Sequence, residues 1–322
     1  MPLTVPRSLS PTRVNAFTDC PLAFRLRTID HLPEPSSPPA VKGTLVHAAL
    51  EGLIWHHPAG RRTRAAARGE LAAAWRQLET DPELVGLGLT DDEAAEMRAD
   101  AAALVDRYFE LEDPNRVRAI GVELLLEAEV AGLRLRGIID RLDLTEDGDL
   151  VIVDYKTGRA PGARFEQHRL TGVHLYALLC QRVLGRLPVE VRLLHLREPL
   201  VISAVPSEQT VRAQRQRTVA VWRAIERACE HTDFRPRPGP LCRYCNFQAW
   251  CPAFGGQPPA VAAGDGIAIE PAVAAGRAGD EGLAAEEGPA TDEGPATEAT
   301  AGGTPAGYPP APLGAREPGG RP

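Results

Sequence analysis

The stretch that decides the fold is "GIIDRLDLTEDGDLVIVDYKTGR", residues 137–159. Two runs rich in Ile, Leu and Val flank the polar segment "TEDGD", a pattern typical of a β-hairpin. In a three-residue hairpin loop the last position is left-handed and favours glycine, and Glu146, Asp147 and Gly148 fit such a loop. The sequence therefore predicts a hairpin closed by Thr145 and Asp149.

This register has a chemical consequence further from the loop. Counting outward, Asp140 lies directly opposite Asp154, and opposed residues share a face with Cβ atoms roughly 4.5–5.5 Å apart. Lys156 follows two residues later and points to the same face. The alternative, a two-residue Asp147-Gly148 turn, places the two aspartates on opposite faces. We prefer the three-residue loop because it brings two carboxylates and an ammonium together.

The lysine in this stretch is unusual for the chain. Lys42 and Lys156 are the two lysines among 36 basic residues. Lysine is a compact charge whose pKa moves readily, whereas arginine is a permanently charged planar fork. Two close carboxylates suit Mg²⁺ or Mn²⁺, which can activate water and stabilise a phosphoryl transition state. The simpler interpretation is a salt bridge between Asp154 and Lys156.

The rest of the first 254 residues predicts one α/β domain with a helical N-terminal part. Ser10 and Pro11 indicate a helix start, and Pro21 interrupts that helix. Apolar periodicity and strand-like runs predict a mixed central sheet flanked by helices. The predicted elements are helices around 42–55, 62–79, 91–112, 163–185 and 207–230, three antiparallel strands within 118–158, and strands at 189–196 and 199–205.

Composition separates a C-terminal segment from this domain. Residues 255–322 are dominated by Ala, Gly, Pro and acidic residues, with ten acids and three arginines, and we expect them to be disordered. Residues 1–254 carry 33 basic and 33 acidic groups, so net charge neither favours nor excludes nucleic-acid binding. No apolar run suggests a signal peptide or a membrane span, and we expect a cytoplasmic protein.

Four of the six cysteines suggest a metal site. Cys242, Cys245 and Cys251 are spaced C-x2-C-x5-C, and Cys20 is a distant fourth candidate that, like Cys251, precedes a proline. Thiolates suit both zinc and iron–sulfur clusters, and the spacing does not choose between them. The remaining two, Cys180 and Cys229, lie in predicted helices and are interpreted as small apolar residues.

"GIIDRLDL" followed by "VIVDYKTGR" closely resembles the RecB-like branch of the PD-(D/E)XK nuclease superfamily, which has a restriction-endonuclease-like core. The resemblance implies that Asp140 and Asp154 are the acidic metal ligands and that Lys156 is the catalytic lysine. It also implies that His47, in "GTLVHAALEG", is the upstream metal ligand on a helix. The implied ion is Mg²⁺ or Mn²⁺.

Two further positions follow from the resemblance. Tyr176, in "HLYALL", corresponds to the tyrosine of the Q-x-x-x-Y motif, which contributes to DNA contact and site organisation. Gly172 stands where that motif has glutamine, a departure from the family pattern. Upstream, either Glu123 or Glu127 is a candidate accessory acid, although solvated strand positions explain both equally well.

The cysteine arrangement resembles cluster-bearing members of this branch, AddB and the CRISPR-associated RecB-like exonuclease among them. On that resemblance Cys20, Cys242, Cys245 and Cys251 hold a [4Fe–4S] cluster that ties the N-terminal helix to the C-terminal segment. A zinc ion is the alternative.

The function implied is a metal-dependent DNA exonuclease that acts on single strands or DNA ends in recombination or repair. The chain contains no G-x-x-x-x-G-K-[ST] phosphate loop, so we expect a separate helicase partner and no membrane partner. Two alternatives stay open: a catalytically silent DNA-binding module of the same fold, and a zinc-stabilised regulatory protein.

Overall fold

The computed structural model describes residues 2–160 and 163–259, with side chains omitted for residues 163–173. From residue 260 onward, the segment expected to be disordered lies outside the described residues.

A five-stranded sheet with strand order β1-β2-β3-β4-β5 forms the centre of the fold. The first three strands pair antiparallel, β3 and β4 pair parallel, and β4 and β5 pair antiparallel. The mixed α/β sheet expected from the sequence is therefore confirmed. The strands are β1 (Ala119–Val130), β2 (Leu133–Leu144), β3 (Leu150–Lys156), β4 (Glu190–His195) and β5 (Leu200–Ala204).

The hairpin between β2 and β3 has the predicted three-residue loop. Thr145 N–H donates to Asp149 O at 2.9 Å, and Gly148 has a φ of +80° at the last loop position. The ladder then runs through Leu144↔Leu150 to Arg141↔Val153, so continuing the register by one step places Asp140 opposite Asp154. The two-residue turn is excluded.

Eight α-helices surround the sheet in the described residues. α1 begins after the N-cap Ser10, whose hydroxyl accepts a hydrogen bond from Arg13 N, and ends before Cys20, where Pro21 starts α2. None of the described helices combines the length and apolarity needed to cross a bilayer. The helices are α1 (Pro11–Asp19), α2 (Pro21–Thr28), α3 (Pro38–His56), α4 (Arg64–Leu78), α5 (Pro82–Val85), α6 (Asp91–Leu111), α7 (Ala163–Leu184) and α8 (Glu208–His231).

The main core lies between the sheet and α3, α4 and α6. Val151, Val153 and Tyr155 of β3 are buried against these helices, together with Leu194 of β4. α7 connects β3 to β4, which a parallel pair requires, and it packs against β1 and β2 with α1 and α8 beside it. β3 is central and buried over six of its seven residues, which explains its continuous apolar run.

A buried arginine joins α6 to the two central strands. The Arg141 side chain is fully buried and donates to Glu112 at the end of α6 (Nη2–Oε2 3.0 Å), to Asp143 (Nε–Oδ1 2.9 Å) and to the Tyr155 hydroxyl (2.7 Å). The Tyr108 hydroxyl accepts a further bond from Arg141 Nη1 at 3.2 Å. Arg141 adjoins Asp140 in the chain, and Tyr155 adjoins Asp154. This network therefore stabilises the backbone that carries the two aspartates.

We predict that Arg141→Met destabilises the fold by about 3–5 kcal/mol, because it leaves two buried carboxylates without their shared cation while preserving side-chain volume. Urea denaturation measures this change. Arg136→Ala is the matched control, since Arg136 lies on the same strand but is exposed and pairs with Glu127 at the surface, and it should leave stability nearly unchanged. Equal destabilisation by both variants would contradict the role given to Arg141.

Candidate active site

Strands β2 and β3 separate at Asp140, and the aspartate side chain fills the gap. The ladder between them ends at Arg141↔Val153, while β3 continues to pair with β4 as far as Lys156. Beyond the end of the ladder, Tyr155 N–H donates to Asp140 Oδ2 at 2.7 Å. One carboxylate oxygen of Asp140 is therefore fixed by the backbone of the neighbouring strand.

His47 of α3 faces this carboxylate. Its Nε2 lies 3.1 Å from Tyr155 O, and its Nδ1 lies 3.5 Å from Asp140 Oδ2. A carbonyl oxygen can only accept a hydrogen bond, so Nε2 carries the proton and Nδ1 keeps its lone pair towards the acid. A histidine whose second nitrogen is held by a backbone carbonyl is the usual arrangement of a metal ligand.

Glu123 of β1 is the third member of the cluster. His47, Glu123 and Asp140 each offer a ligand atom, and these atoms lie within 4.8 Å of one another. Glu123 lies in the interior of a strand with a φ of +44°. A non-glycine residue in this region costs on the order of 1–3 kcal/mol, and such strain concentrates at functional sites.

The structure thus separates the two glutamates that the sequence left open. Glu127 pairs with Arg134 and Arg136 at the surface, whereas Glu123 joins the cluster. The signal that distinguishes them is the tight turn at Ala131 and Gly132, where both residues have positive φ. This turn sets the register Val130↔Leu133, and counting outward from it brings Glu123 opposite Asp140.

The electrostatics of the cluster favour a cation. Burial and the charge of Asp154 raise the pKa of Asp140 to about 8. Burial, with the charges of Glu51 and Asp154, raises the pKa of Glu123. Burial also lowers the pKa of His47, so its ring is neutral at neutral pH and can act as a ligand. Two oxygens and one imidazole nitrogen match the donor set of Mg²⁺ or Mn²⁺.

Asp154 and Lys156 lie beside this cluster in an open groove. The Lys156 ammonium forms an ion pair with Asp154 Oδ2, which is the salt bridge that the simpler interpretation expects. Asp154 is 6% exposed, and its Oδ2 has no well-formed hydrogen bond among the described residues. Leu193 of β4, Tyr176 of α7 and α1 form the other walls of the groove.

Tyr176 reaches the groove because Gly137 leaves room for its ring. A Cβ added at Gly137 would lie 3.0 Å from Tyr176 Cε1. Burial and the charges of Asp154 and Asp140 raise the pKa of Tyr176, so its hydroxyl stays protonated and can donate a hydrogen bond. Gly172, at the expected glutamine position, lies on the same helix, and nothing is described of its surroundings.

The four cysteines singled out in the sequence line one depression between α1, α2 and the C-terminal segment. None of them forms a disulfide. Backbone N–H groups of Arg237 and Gly239 donate to the sulfurs of Cys20 and Cys242, at 3.5 and 3.3 Å. Cys180 and Cys229, by contrast, are buried, as expected for apolar helix residues.

Comparison with known proteins identifies a family. The model described as the PD-(D/E)XK nuclease superfamily matches residues 8–252. Two curated relatives are both named Gene 69 protein. The protein of Mycobacterium phage D29 is 23% identical over 268 residues, which cover 76% of this chain and 96% of the relative. The protein of Mycobacterium phage L5 is 28% identical over 136 residues, which cover 41% and 44%.

Similar solved structures include the crystal structure of SSO0001, which is 15% identical and has a TM-score of 0.33 over 66% of this chain and 84% of that protein. A protein from Eubacterium rectale named "Putative exonuclease" is 13% identical, with a TM-score of 0.45 over 74% and 87%. Both TM-scores are below 0.5, so neither structure informs the function of this chain.

The raised pKa of Asp140 predicts a pH-dependent stability. A carboxyl whose folded pKa lies above its unfolded value stabilises the fold below the unfolded pKa, and this contribution is lost as pH rises towards the folded pKa. We therefore expect the melting temperature in EDTA to fall more between about pH 4 and 8 for wild type than for Asp140→Asn. At pH 8 the variant should melt at least about 2–4 °C higher, the shift that 1 kcal/mol produces in a domain of this size.

Differential scanning fluorimetry across this pH range measures the effect. The amide introduced by Asp140→Asn keeps an oxygen for Tyr155 N–H, and His47 titrates in both proteins, so the difference between the curves isolates Asp140. Addition of Mn²⁺ at pH 8 should stabilise wild type and leave Asp140→Asn unchanged. Parallel pH curves for the two proteins would contradict the raised pKa of Asp140.

Proposed function

The chain belongs to the PD-(D/E)XK nuclease superfamily, and we propose that it is a Mg²⁺- or Mn²⁺-dependent deoxyribonuclease of the RecB-like branch. The observation that carries the proposal is the cluster of His47, Glu123 and Asp140 next to the Asp154–Lys156 pair. The superfamily match supplies the reaction class, and this geometry supplies residues for each chemical role.

His47, Glu123 and Asp140 would hold the divalent ion, with Asp154 as the neighbouring acid. When bound, the ion supplies Lewis acidity towards the scissile phosphate and lowers the pKa of water. It would also offset the burial and repulsion that raise the pKa of Asp140 and of Glu123. Glu123, whose backbone is left-handed, would be the third ligand.

Lys156 would act on the phosphate rather than on the ion. Its ammonium is held by Asp154 at the end of β3 and is partly exposed to the groove. It can therefore orient the attacking water and stabilise the negative charge that develops on the phosphate oxygens. Hydrolysis adds water across one P–O bond and leaves a phosphomonoester and an alcohol. The protonated Tyr176 hydroxyl would donate a hydrogen bond to the strand.

We further propose that the substrate is DNA, as a single strand or at an end, and that the reaction is exonucleolytic and serves recombination or repair. The open groove between α1 and β3 suits an extended strand. A separate helicase would supply single strands. A catalytically silent module with the same groove would bind DNA without digesting it.

Lys156→Ala should reduce Mg²⁺-dependent DNA digestion by at least about 100-fold, because removal of one preorganised charge at a transition state costs on the order of 10²–10³ in rate. The assay uses labelled linear single-stranded and double-stranded DNA, with circular DNA to separate end-dependent from internal cleavage. Lys42→Ala is the control, since Lys42 is the other lysine and pairs with Asp100 outside the groove. Equal digestion by wild type and Lys156→Ala would rule out the proposed site.

We propose that Cys20, Cys242, Cys245 and Cys251 hold a [4Fe–4S] cluster with a structural role. Four free thiols around one depression, two of them accepting backbone N–H bonds, support a thiolate-bound group. In a tetrahedral zinc site with Zn–S bonds near 2.3 Å the sulfurs lie about 3.8 Å apart. Zinc, with four thiolates as ligands, is the alternative occupant of the same site.

Anaerobically purified protein should contain about four irons and about four acid-labile sulfides per chain, the stoichiometry of a [4Fe–4S] cluster. Cys251→Ser should lose the iron and have a lower melting temperature, because the cross-link between distant parts of the chain is lost. The control is Cys180→Ala, because Cys180 is buried in α7 away from the depression, and it should retain the iron. Stoichiometric zinc without iron or labile sulfide would contradict the cluster and favour the zinc alternative.

A further inference from the structure

Three large side chains on the C-terminal segment are exposed together. Tyr244 is 70% exposed, Leu241 is 62% exposed and Phe254 is 52% exposed, and all three line the cysteine depression. We refer to the two aromatic residues Tyr244 and Phe254, with Leu241 beside them in the same depression, as the aromatic platform. A neighbouring ring, Phe247, is buried beneath Arg27. The segment therefore already has an aromatic residue that fills its interior, and the platform is left facing solvent.

The platform is continuous with the groove that Asp154, Lys156 and Tyr176 line. Ala16 and Asp19 of α1 and Arg27 of α2 line both the cysteine depression and the groove of Asp154, Lys156 and Tyr176. Arg27 is half exposed at this junction. A strand that leaves the groove past Arg27 therefore reaches the platform without crossing another element.

Arg243 supplies a positive charge at the platform. Of the other arginines in residues 234–259, Arg235 is paired with Asp233. The Arg243 guanidinium lies 4.6 Å from the centroid of the Tyr244 ring, which is a cation–π contact. Exposed aromatic rings combined with arginine are the features by which proteins hold unpaired bases, since bases stack on the rings and phosphates meet the cations.

We propose that the aromatic platform binds unpaired bases of single-stranded DNA beside the active site, with Tyr244 as the main stacking residue. This inference rests on the proposed nuclease function and names the substrate form: a single strand whose bases are free to stack. The C-terminal segment that carries Cys242, Cys245 and Cys251 then has two roles. Its sulfurs hold the group that fixes the segment to α1 and α2, and its outer face holds the substrate strand.

The test compares Tyr244→Phe with Tyr244→Leu, because both keep an apolar side chain and one keeps the ring. Binding of a fluorescently labelled oligothymidylate is measured by anisotropy in EDTA, where the strand is not hydrolysed. Tyr244→Phe should bind like wild type, and Tyr244→Leu should bind about 5- to 150-fold more weakly, the range for one base–aromatic stack. An abasic strand of equal length should bind both variants and wild type alike.

Trp55→Ala is the control for a general effect of exposed aromatics, since Trp55 is 69% exposed on α3 and lines neither depression. Iron and zinc content of each variant shows whether the cysteine site is retained. Unchanged oligothymidylate binding by Tyr244→Leu, or equal weakening on the abasic strand, would overturn the platform and leave this surface to a protein partner. Failure of wild type to digest any DNA with Mg²⁺ or Mn²⁺ would instead remove the proposed function itself.

Discussion

The pairing register of β2 with β3 is the constraint on which the site depends. The loop at Glu146, Asp147 and Gly148 sets this register, and a slip of one residue would move Asp140 to the other face of the sheet. The pairing then stops where the two aspartates would meet, and Tyr155 N–H bonds to the Asp140 carboxylate instead of to the backbone. The point at which the sheet opens is therefore also the point at which the acids converge.

Two adjacent residues of β2, Arg141 and Asp140, have opposite electrostatic environments. Arg141 is buried with Glu112 and Asp143, so its charge is compensated within the protein. Asp140, one residue earlier, is buried near the charges of Asp154 and Glu123, and burial with these charges raises its pKa. The first arrangement stabilises the fold without a ligand. The second would be offset by a divalent cation, and Lys156, which is paired with Asp154, lines the adjoining groove.

Local rules predicted much of this arrangement. Turn chemistry limited the hairpin to two registers, and the convergence of two carboxylates and an ammonium chose between them. Ser10 with Pro21 predicted the helix that ends at Cys20, since these signals act within a few residues. Glu123 stayed ambiguous because its role depends on a second register and on a left-handed backbone, which a glutamate in the sequence does not predict. The network of Arg141 with Tyr108 and Glu112 joins residues 33 and 29 positions apart, and the exposure of Tyr244 depends on how the C-terminal segment packs. Sequence periodicity predicts neither the long-range contacts of Arg141 nor the exposure of Tyr244.

The most direct measurement of the central claim is the anomalous diffraction of Mn²⁺ in crystals of the full chain. We predict one strong peak within coordinating distance of His47, Glu123 and Asp140, on the side of Asp140 that faces the Lys156 groove. We also predict that the peak is absent in crystals of Asp140→Asn grown and soaked under the same conditions. A peak elsewhere, or a fully occupied peak that persists in Asp140→Asn, would contradict the claim that the opened hairpin is a metal site.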